Sequence, residues 1–223
     1  MRRYLLAPVV ALAAVAACER PAAQPEAPGA APAEAGLPAS VLRNRLRGVH
    51  LGQVQAKPDI RLTTVDGQPF SLIEDTRGTL TLLFFGYTHC PDICPVHVAN
   101  VGKVMKTLPD EVTSKIRFVF VTTDPERDTP ERLKAWLANF HPAIIGLVGT
   151  PEQIKAAQLA AGLLPAAKEI ADSAAPQNYL VSHAAQVIAF TPNDDRAHIV
   201  YPFGVRQQDW ANDLPILVNG WPE

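Results

Sequence analysis

Two thiols stand with three residues between them in the stretch Phe84–Pro95, which reads FFGYTHCPDICP. Each cysteine is followed at once by a proline, and the apolar run LTLLFF leads into the pair. A residue before proline is biased away from the helical region. Cys90 and Cys94 are therefore predicted to be extended or turn-like, with Cys94 as the N-cap and Pro95 in the first helical place. A thiol at a helix N-terminus feels the positive end of the dipole, which lowers its pKa and favours the thiolate. The thiolate is the form that binds metals and attacks disulfides. The spacing lets the two sulfurs meet in one loop, where they can close a disulfide or hold one metal ion. As a purely structural bridge the pair is poorly motivated, because so short a loop constrains the unfolded chain little.

The third cysteine, Cys18, has a different setting. Arg2 and Arg3 precede the apolar run Tyr4–Ala17, YLLAPVVALAAVAA, which is shorter than the roughly 20 residues of a membrane span. This is the pattern of a secretory signal. Its last residues, Val15-Ala16-Ala17-Cys18, resemble a bacterial lipobox, which implies cleavage before Cys18 and acylation of that cysteine. Residues 18–45 are then a tether rich in Ala, Pro and Glu, too poor in large apolar residues to fold. Residues 46–223 form the globular domain. The expected location is an exported lipoprotein, anchored to a membrane with its domain in the periplasm.

Other polar residues invite competing readings. Asp124 and Asp128 lie in TTDPERDTPE. They either line a site or contact a partner, or they serve the loop, with Asp124 in an Asx-turn and Asp128 or Thr129 capping the next helix. His89 adjoins Cys90 and is expected to fill the loop rather than to ligate. His97 is expected to be solvated in the first helical turn. His50 and His198 lack partners in the sequence. His141 is expected to meet the last carbonyls of a helix. The net charge of −2 gives no basic excess for nucleic acid, and an aromatic content of 7% gives little base-stacking surface.

The elements that must position these residues are legible in outline. Hydrophobic residues make up 48% of the 223, enough for a sizeable core. Strands are predicted at Ile60–Val65, Leu80–Gly86, Ile116–Thr122, Ile144–Val148, Ala184–Phe190 and His198–Tyr201. Helices are predicted from Pro95 onward, at Thr129–Phe140, from Thr150 to about Ala161, and between Gln207 and Asn219, the last weakened by Pro215. This alternation is that of an α/β layered domain with parallel pairing at its centre. Sites in such sheets lie at the carboxyl ends of the strands, where the cysteines fall.

FFGYTHCPDICP, followed in order by TTDPERDTPE, FHPAIIGLVGTPEQI and NYLVSH, resembles the Sco/SenC family. These are thioredoxin-like copper chaperones for cytochrome c oxidase. The resemblance runs from about Gly52 to the C-terminus. It implies a thioredoxin-like fold, a central mixed sheet flanked by helices, and copper ligation by Cys90, Cys94 and the distant His183. It also implies that Cys90 and Cys94 form a redox disulfide. The family's histidine usually follows an aspartate, whereas here it follows Ser182. His183 stands where thiol-exchange enzymes of this fold commonly keep a cis-proline. Thiolates suit Cu(I), and an added imidazole makes a site that also holds Cu(II). Cys2His is also a zinc pattern, so ligand type alone does not exclude that metal.

The leading expectation is a metallochaperone rather than an enzyme. Its partners would be the copper-binding subunit of cytochrome c oxidase, other copper carriers and the membrane. The alternative is a thiol-disulfide reductase that keeps the oxidase's copper-site cysteines reduced. A peroxide-consuming or redox-sensing enzyme is a third reading, since peroxiredoxins share the fold.

Overall fold

Alternation along the buried strands decides which side of the sheet each residue serves. Along Leu80–Gly86, Leu82 and Phe84 join one core cluster while Leu83 and Phe85 join the other. Phe118 and Phe120 against Val119 and Val121 repeat the division on the neighbouring strand. A sheet with two apolar faces must be covered on both, which is why helices flank it.

A computed structural model of the chain describes residues 37–170 and 178–223. Cys18, the signal-like run and most of the Ala/Pro-rich segment lie outside the described residues. In chain order the elements are α1 (Ala39–Arg45), β1 (Val49–Ala56), β2 (Arg61–Thr64), β3 (Pro69–Ser71), β4 (Leu80–Gly86), α2 (Ile93–Thr107), α3 (Asp110–Thr113), β5 (Ile116–Thr122), α4 (Pro130–Ala138), β6 (Ile144–Val148), α5 (Pro151–Ala160), β7 (Ala167–Ile170), β8 (Tyr179–Ser182), β9 (Val187–Phe190), β10 (Arg196–Tyr201) and α6 (Gln207–Leu217). One sheet runs in the order β1-β10-β9-β4-β5-β6-β2-β3, and β7 and β8 form a separate ribbon. The centre, β4-β5-β6, is parallel, and antiparallel strands extend it on both sides. The expected α/β layering, a mixed sheet flanked by helices, is the architecture adopted.

One face is packed by α2, α4 and α6, through Val98, Val101 and Met105, Leu133 and Leu137, and Trp210, Leu214 and Leu217. The other is packed by α5 through Ala157 and by Ala161 and Leu163 beyond it. The two Thr-Pro signals start helices as expected. Thr129 Oγ1 accepts from the Arg132 amide, and Thr150 and Gln153 form a reciprocal capping box. Pro215 lies inside α6 after all, in its last turn. Among the described residues no helix is long and apolar enough to cross a membrane.

Two expectations about the site's surroundings need correction. The N-cap of α2 is Asp92, whose side chain accepts from the Ile93 amide, so Cys94 and Pro95 lie inside the first turn. Pro95 is tolerated there because first-turn amides have no intrahelical partner. His183 does not lead straight into a strand. It follows β8, and Ala184–Gln186 carry the chain from there to β9.

Candidate metal centre

Strand β4 delivers the cysteine loop to the carboxyl end of the parallel sheet, and α2 starts immediately after it. Cys90 is 8% exposed and Cys94 is fully buried, and both are free thiols. The Cys94 amide donates to Cys90 Sγ at 3.4 Å. From 89 residues away, the ribbon β7–β8 brings His183, whose Nε2 lies 3.3 Å from Cys94 Sγ. Ligand atoms of Cys90, Cys94 and His183 all lie within 4.8 Å of one another.

The His183 ring is held by its surroundings. Its Nδ1 lies 2.9 Å from the Ala184 carbonyl. A carbonyl only accepts, so Nδ1 carries a proton, and Nε2 is the nitrogen turned toward the sulfurs. Tyr87 and Phe84 meet the ring edge-on, at centroid distances of 5.7 and 6.0 Å. Ser182 plays no part in this orientation, since its hydroxyl donates to the Ala167 carbonyl across the ribbon. A backbone carbonyl thus orients the imidazole.

The two thiols differ electrostatically. Hydrogen bonds from the Cys94 thiol, then the His183 ring and the backbone amides of Cys94 and Asp92, outweigh burial and hold Cys90 down at about 3. Burial pushes Cys94 far above an ordinary thiol, and a negative Cys90 beside it acts in the same direction. The expected low-pKa sulfur is therefore Cys90, not Cys94. Cys94 keeps the proton because it is enclosed, while Cys90 receives the donors.

Gly86 is a site residue that the sequence reading missed. A Cβ there would stand 2.7 Å from Cys94 Sγ and 3.1 Å from the Phe120 ring. The signal was available in the parity of β4: even-numbered residues face α2, and the residue at the end of that row has no side chain. Gly86 is the floor on which the Cys94 sulfur rests.

Asp124 and Asp128 are buried close by, and both carboxylates are already engaged. Asp128 accepts from the Thr88 amide at 3.0 Å, from Thr88 Oγ1 at 2.6 Å and from Thr122 Oγ1 at 2.8 Å. Asp124 accepts from the Arg127 guanidinium and, at 2.7 Å, from the Tyr179 hydroxyl. Arg127 stacks 3.6 Å over the Tyr179 ring and donates to the Tyr179 carbonyl at 3.0 Å. Asp128 thus ties the cysteine loop to β5, and Asp124 ties the ribbon that carries His183. Neither caps α4, which Thr129 does. His89 gathers with these two acids rather than with the thiols, and its Nδ1 is 3.8 Å from Asp128 Oδ1.

The remaining histidines depart from expectation. His97 is 1% exposed rather than solvated, because α2 packs that face on Phe84. His198 has a partner: Nε2 is 2.7 Å from Asp194 Oδ2, and the ring stacks on Trp221 at 4.4 Å. His50 meets the same Trp221 edge-on. His141 Nδ1 accepts from the Ala143 amide instead of meeting helix carbonyls.

The chain is similar to a group of known proteins. The sequence model described as SCO1/SenC matches residues 50–218. A protein of Stutzerimonas stutzeri named for copper binding is 36% identical over 155 residues, spanning 68% of this chain and 72% of that protein. The mitochondrial protein SCO2 of Saccharomyces cerevisiae is 43% identical over 104 residues, spanning 47% of this chain and only 34% of that protein. The structure of ScoI from Bradyrhizobium japonicum with copper bound superposes with a TM-score of 0.62 at 29% identity, covering 73% of this chain and 99% of that one. A SCO1/SenC family lipoprotein from Bacillus anthracis gives a TM-score of 0.57 at 25% identity, covering 72% of this chain and 95% of that one. The fold they share with it is thioredoxin-like, and the chain belongs to the SCO1/SenC family.

Proposed function

We propose that the chain is a copper metallochaperone that holds its cargo with Cys90, Cys94 and His183 and passes it to the copper-binding subunit of cytochrome c oxidase. The observation that carries this reading is the convergence of two sulfurs and one imidazole nitrogen within 4.8 Å. The donor set fits copper: two thiolates suit Cu(I), and the added imidazole extends the site to Cu(II). The His183 ring is already turned with Nδ1 on a backbone carbonyl and Nε2 toward the sulfurs. A relative of the same fold carries copper. Asp124 and Asp128 act by holding the loops around the centre, not as ligands. The oxidase as acceptor, with other copper carriers as further partners, rests on the family resemblance.

The test is a copper titration of parent and His183→Ala. The variant keeps two thiolates, so Cu(I) binding should persist while Cu(II) binding and the sulfur-to-copper absorption collapse. Equal Cu(II) binding in both proteins would remove His183 from the ligand set. An oxidase assay in cells carrying each form tests delivery.

One observation favours a second reading, thiol-disulfide reduction. The site holds a low-pKa Cys90 thiolate beside a protonated Cys94. Cys90 can attack a target disulfide, forming a mixed disulfide and releasing one target thiolate. Cys94, on losing its proton, then attacks Cys90 Sγ and releases the second, leaving the Cys90–Cys94 disulfide. Such a duty needs no imidazole ligand. If His183→Ala loses Cu(II) yet supports full oxidase activity, this reading replaces delivery.

Anchoring belongs to the same proposal. Cys18 follows small residues that mark lipid attachment, residues 18–45 supply the tether to a periplasmic domain of residues 46–223, and a family member from Bacillus anthracis is a lipoprotein. Cys18→Ser should leave the domain folded and release it from membranes. Identical partition of variant and parent into detergent would refute the anchor.

A further inference from the structure

Tyr87 is buried beside the centre and has no ligand role in the proposed chemistry. It follows β4, stands three residues before Cys90 and is 2% exposed. Its carbonyl accepts from the Cys90 amide at 3.3 Å. Its ring meets the His183 ring edge-on, at 5.7 Å between centroids and 86° between planes. Its hydroxyl oxygen accepts from the Val181 amide at 3.2 Å, in a buried hydrogen bond. Val181 lies on β8, two residues before His183. One side chain thus touches the backbone and the ring of the arm that brings the nitrogen, while its own backbone holds the arm that brings the sulfurs.

That arm is the part of the site that has to be placed. Cys94 is fixed inside the first turn of α2, whereas His183 hangs between β8 and β9. Tyr179 and Val181 are the buried residues of β8, and His183 continues their row. Farther back, Tyr179 is tied through its hydroxyl to Asp124 and through its carbonyl to Arg127. The Ala184 carbonyl fixes the rotation of the His183 ring, but it belongs to the same segment and moves with it. The Tyr87 hydroxyl belongs instead to the loop that carries Cys90. Its bond to Val181 therefore spans from the sulfur side of the site to the nitrogen side, and it does so close to His183.

We propose that Tyr87 is a positioning residue: its hydroxyl holds the β8 backbone at Val181 against the cysteine loop and so sets the His183 imidazole at bonding distance from the two sulfurs. The proposal rests on the reading of His183 as a ligand. A group that orients a metal-binding imidazole from outside the ligand set commonly affects affinity by about 10–100-fold. Removing the hydroxyl should mainly affect the state that needs nitrogen, Cu(II), and leave Cu(I) on the thiolates nearly unchanged.

Tyr87→Phe tests it, because it removes one oxygen and keeps the ring against His183. In metal-free protein, exchange of the Val181 amide should speed up. Cu(II) affinity should fall about tenfold or more, with a shifted sulfur-to-copper band, while Cu(I) affinity stays within about threefold. The effect runs through His183, so it should vanish without that ring: Tyr87→Phe added to His183→Ala should leave the residual copper affinity unchanged. A general loosening of the fold would persist in that background. Thr150→Ala, which weakens a helix on the opposite sheet face, is the control for lost stability and should keep parent-like Cu(II) binding. Parent-like Cu(II) affinity and absorption in Tyr87→Phe overturn the proposal, as does unchanged exchange at Val181. An equal loss with and without His183 overturns it too. His183→Ala alone separates this failure from that of the ligand reading. If it binds Cu(II) like the parent, the ligand reading falls, and the metal-free exchange alone decides whether Tyr87 holds the ribbon.

Discussion

At the scale of single residues, Gly86 and Cys90 carry the sharpest consequences. The Gly86 backbone cannot yield, because its carbonyl accepts from the Thr123 amide at 2.7 Å and its strand is paired on β5. A methyl there must displace Cys94 Sγ or the Phe120 ring. Gly86→Ala should therefore cost about 1–3 kcal/mol, read by denaturant unfolding. It should also weaken Cu(II) binding, because the sulfur leaves its place beside His183. Unchanged copper spectra in a folded Gly86→Ala protein would show that Cys94 is not seated by this contact. Cys90 leads to a pH prediction. Its thiol is held down at about 3, so it is ionised from pH 5 to 9 and its alkylation rate in reduced, metal-free protein should be nearly flat over that range. An ordinary thiol would speed up about tenfold per pH unit until it approaches its pKa near 8.5. Cys94, pushed upward by burial, should react slowly and faster as pH rises. Peptide-resolved alkylation checks both, and a tenfold rise per unit at Cys90 would contradict the assignment.

At the scale of elements, loops and helices divide into those that serve the centre and those that serve only the fold. The loop between β4 and α2 is tied to β5 by the three hydrogen bonds that Asp128 accepts. Asp128→Ala leaves a buried amide and two hydroxyls short of their acceptor, a loss of about 2–3 kcal/mol. It should also release Thr88 and loosen the cysteine loop. Thr150→Ala removes the capping box of α5 and should cost about 1 kcal/mol. Helix α5 lies on the opposite sheet face from α2, so this second variant should bind copper like the parent. The contrast is the measurement: thermal unfolding beside copper titration for both. Impaired copper binding in Thr150→Ala would mean that the two faces are coupled.

At the scale of the whole molecule, the site joins distant parts of the chain, so occupancy and stability are linked. Cys90 comes from the loop before α2, Cys94 from the first turn of that helix, and His183 from beyond β8, 89 residues after Cys94. A cargo that binds only the assembled site stabilises the fold by about 2.7 kcal/mol at 100 times its dissociation constant. Copper should therefore raise the unfolding midpoint of the reduced protein and leave the oxidised protein unmoved, since a Cys90–Cys94 disulfide consumes both sulfurs. Calorimetry on the two forms checks this. An equal shift in the oxidised form would place the metal elsewhere.

The local chemistry of this protein was legible in its sequence. The apolar run of β4, the β-branched run of β5 and the Thr-Pro starts of α4 and α5 are short-range patterns that burial and capping impose on neighbouring residues. The thiol pair was legible for the same reason, since its spacing is itself local. His183 emerged only through likeness to a family, because no periodicity links residues 89 apart. The edge strand β1 was missed, since it lies largely exposed and lacks the alternation that a buried face enforces. Tertiary packing decided the rest. It enclosed Cys94 and left Cys90 among donors, reversing the expected order of their pKa values. It engaged Asp124 and Asp128 in ties between loops, and it buried His97 between two phenyl rings. Each of these depends on which groups from distant segments arrive beside a residue, which the identities of that residue's neighbours in the chain do not specify.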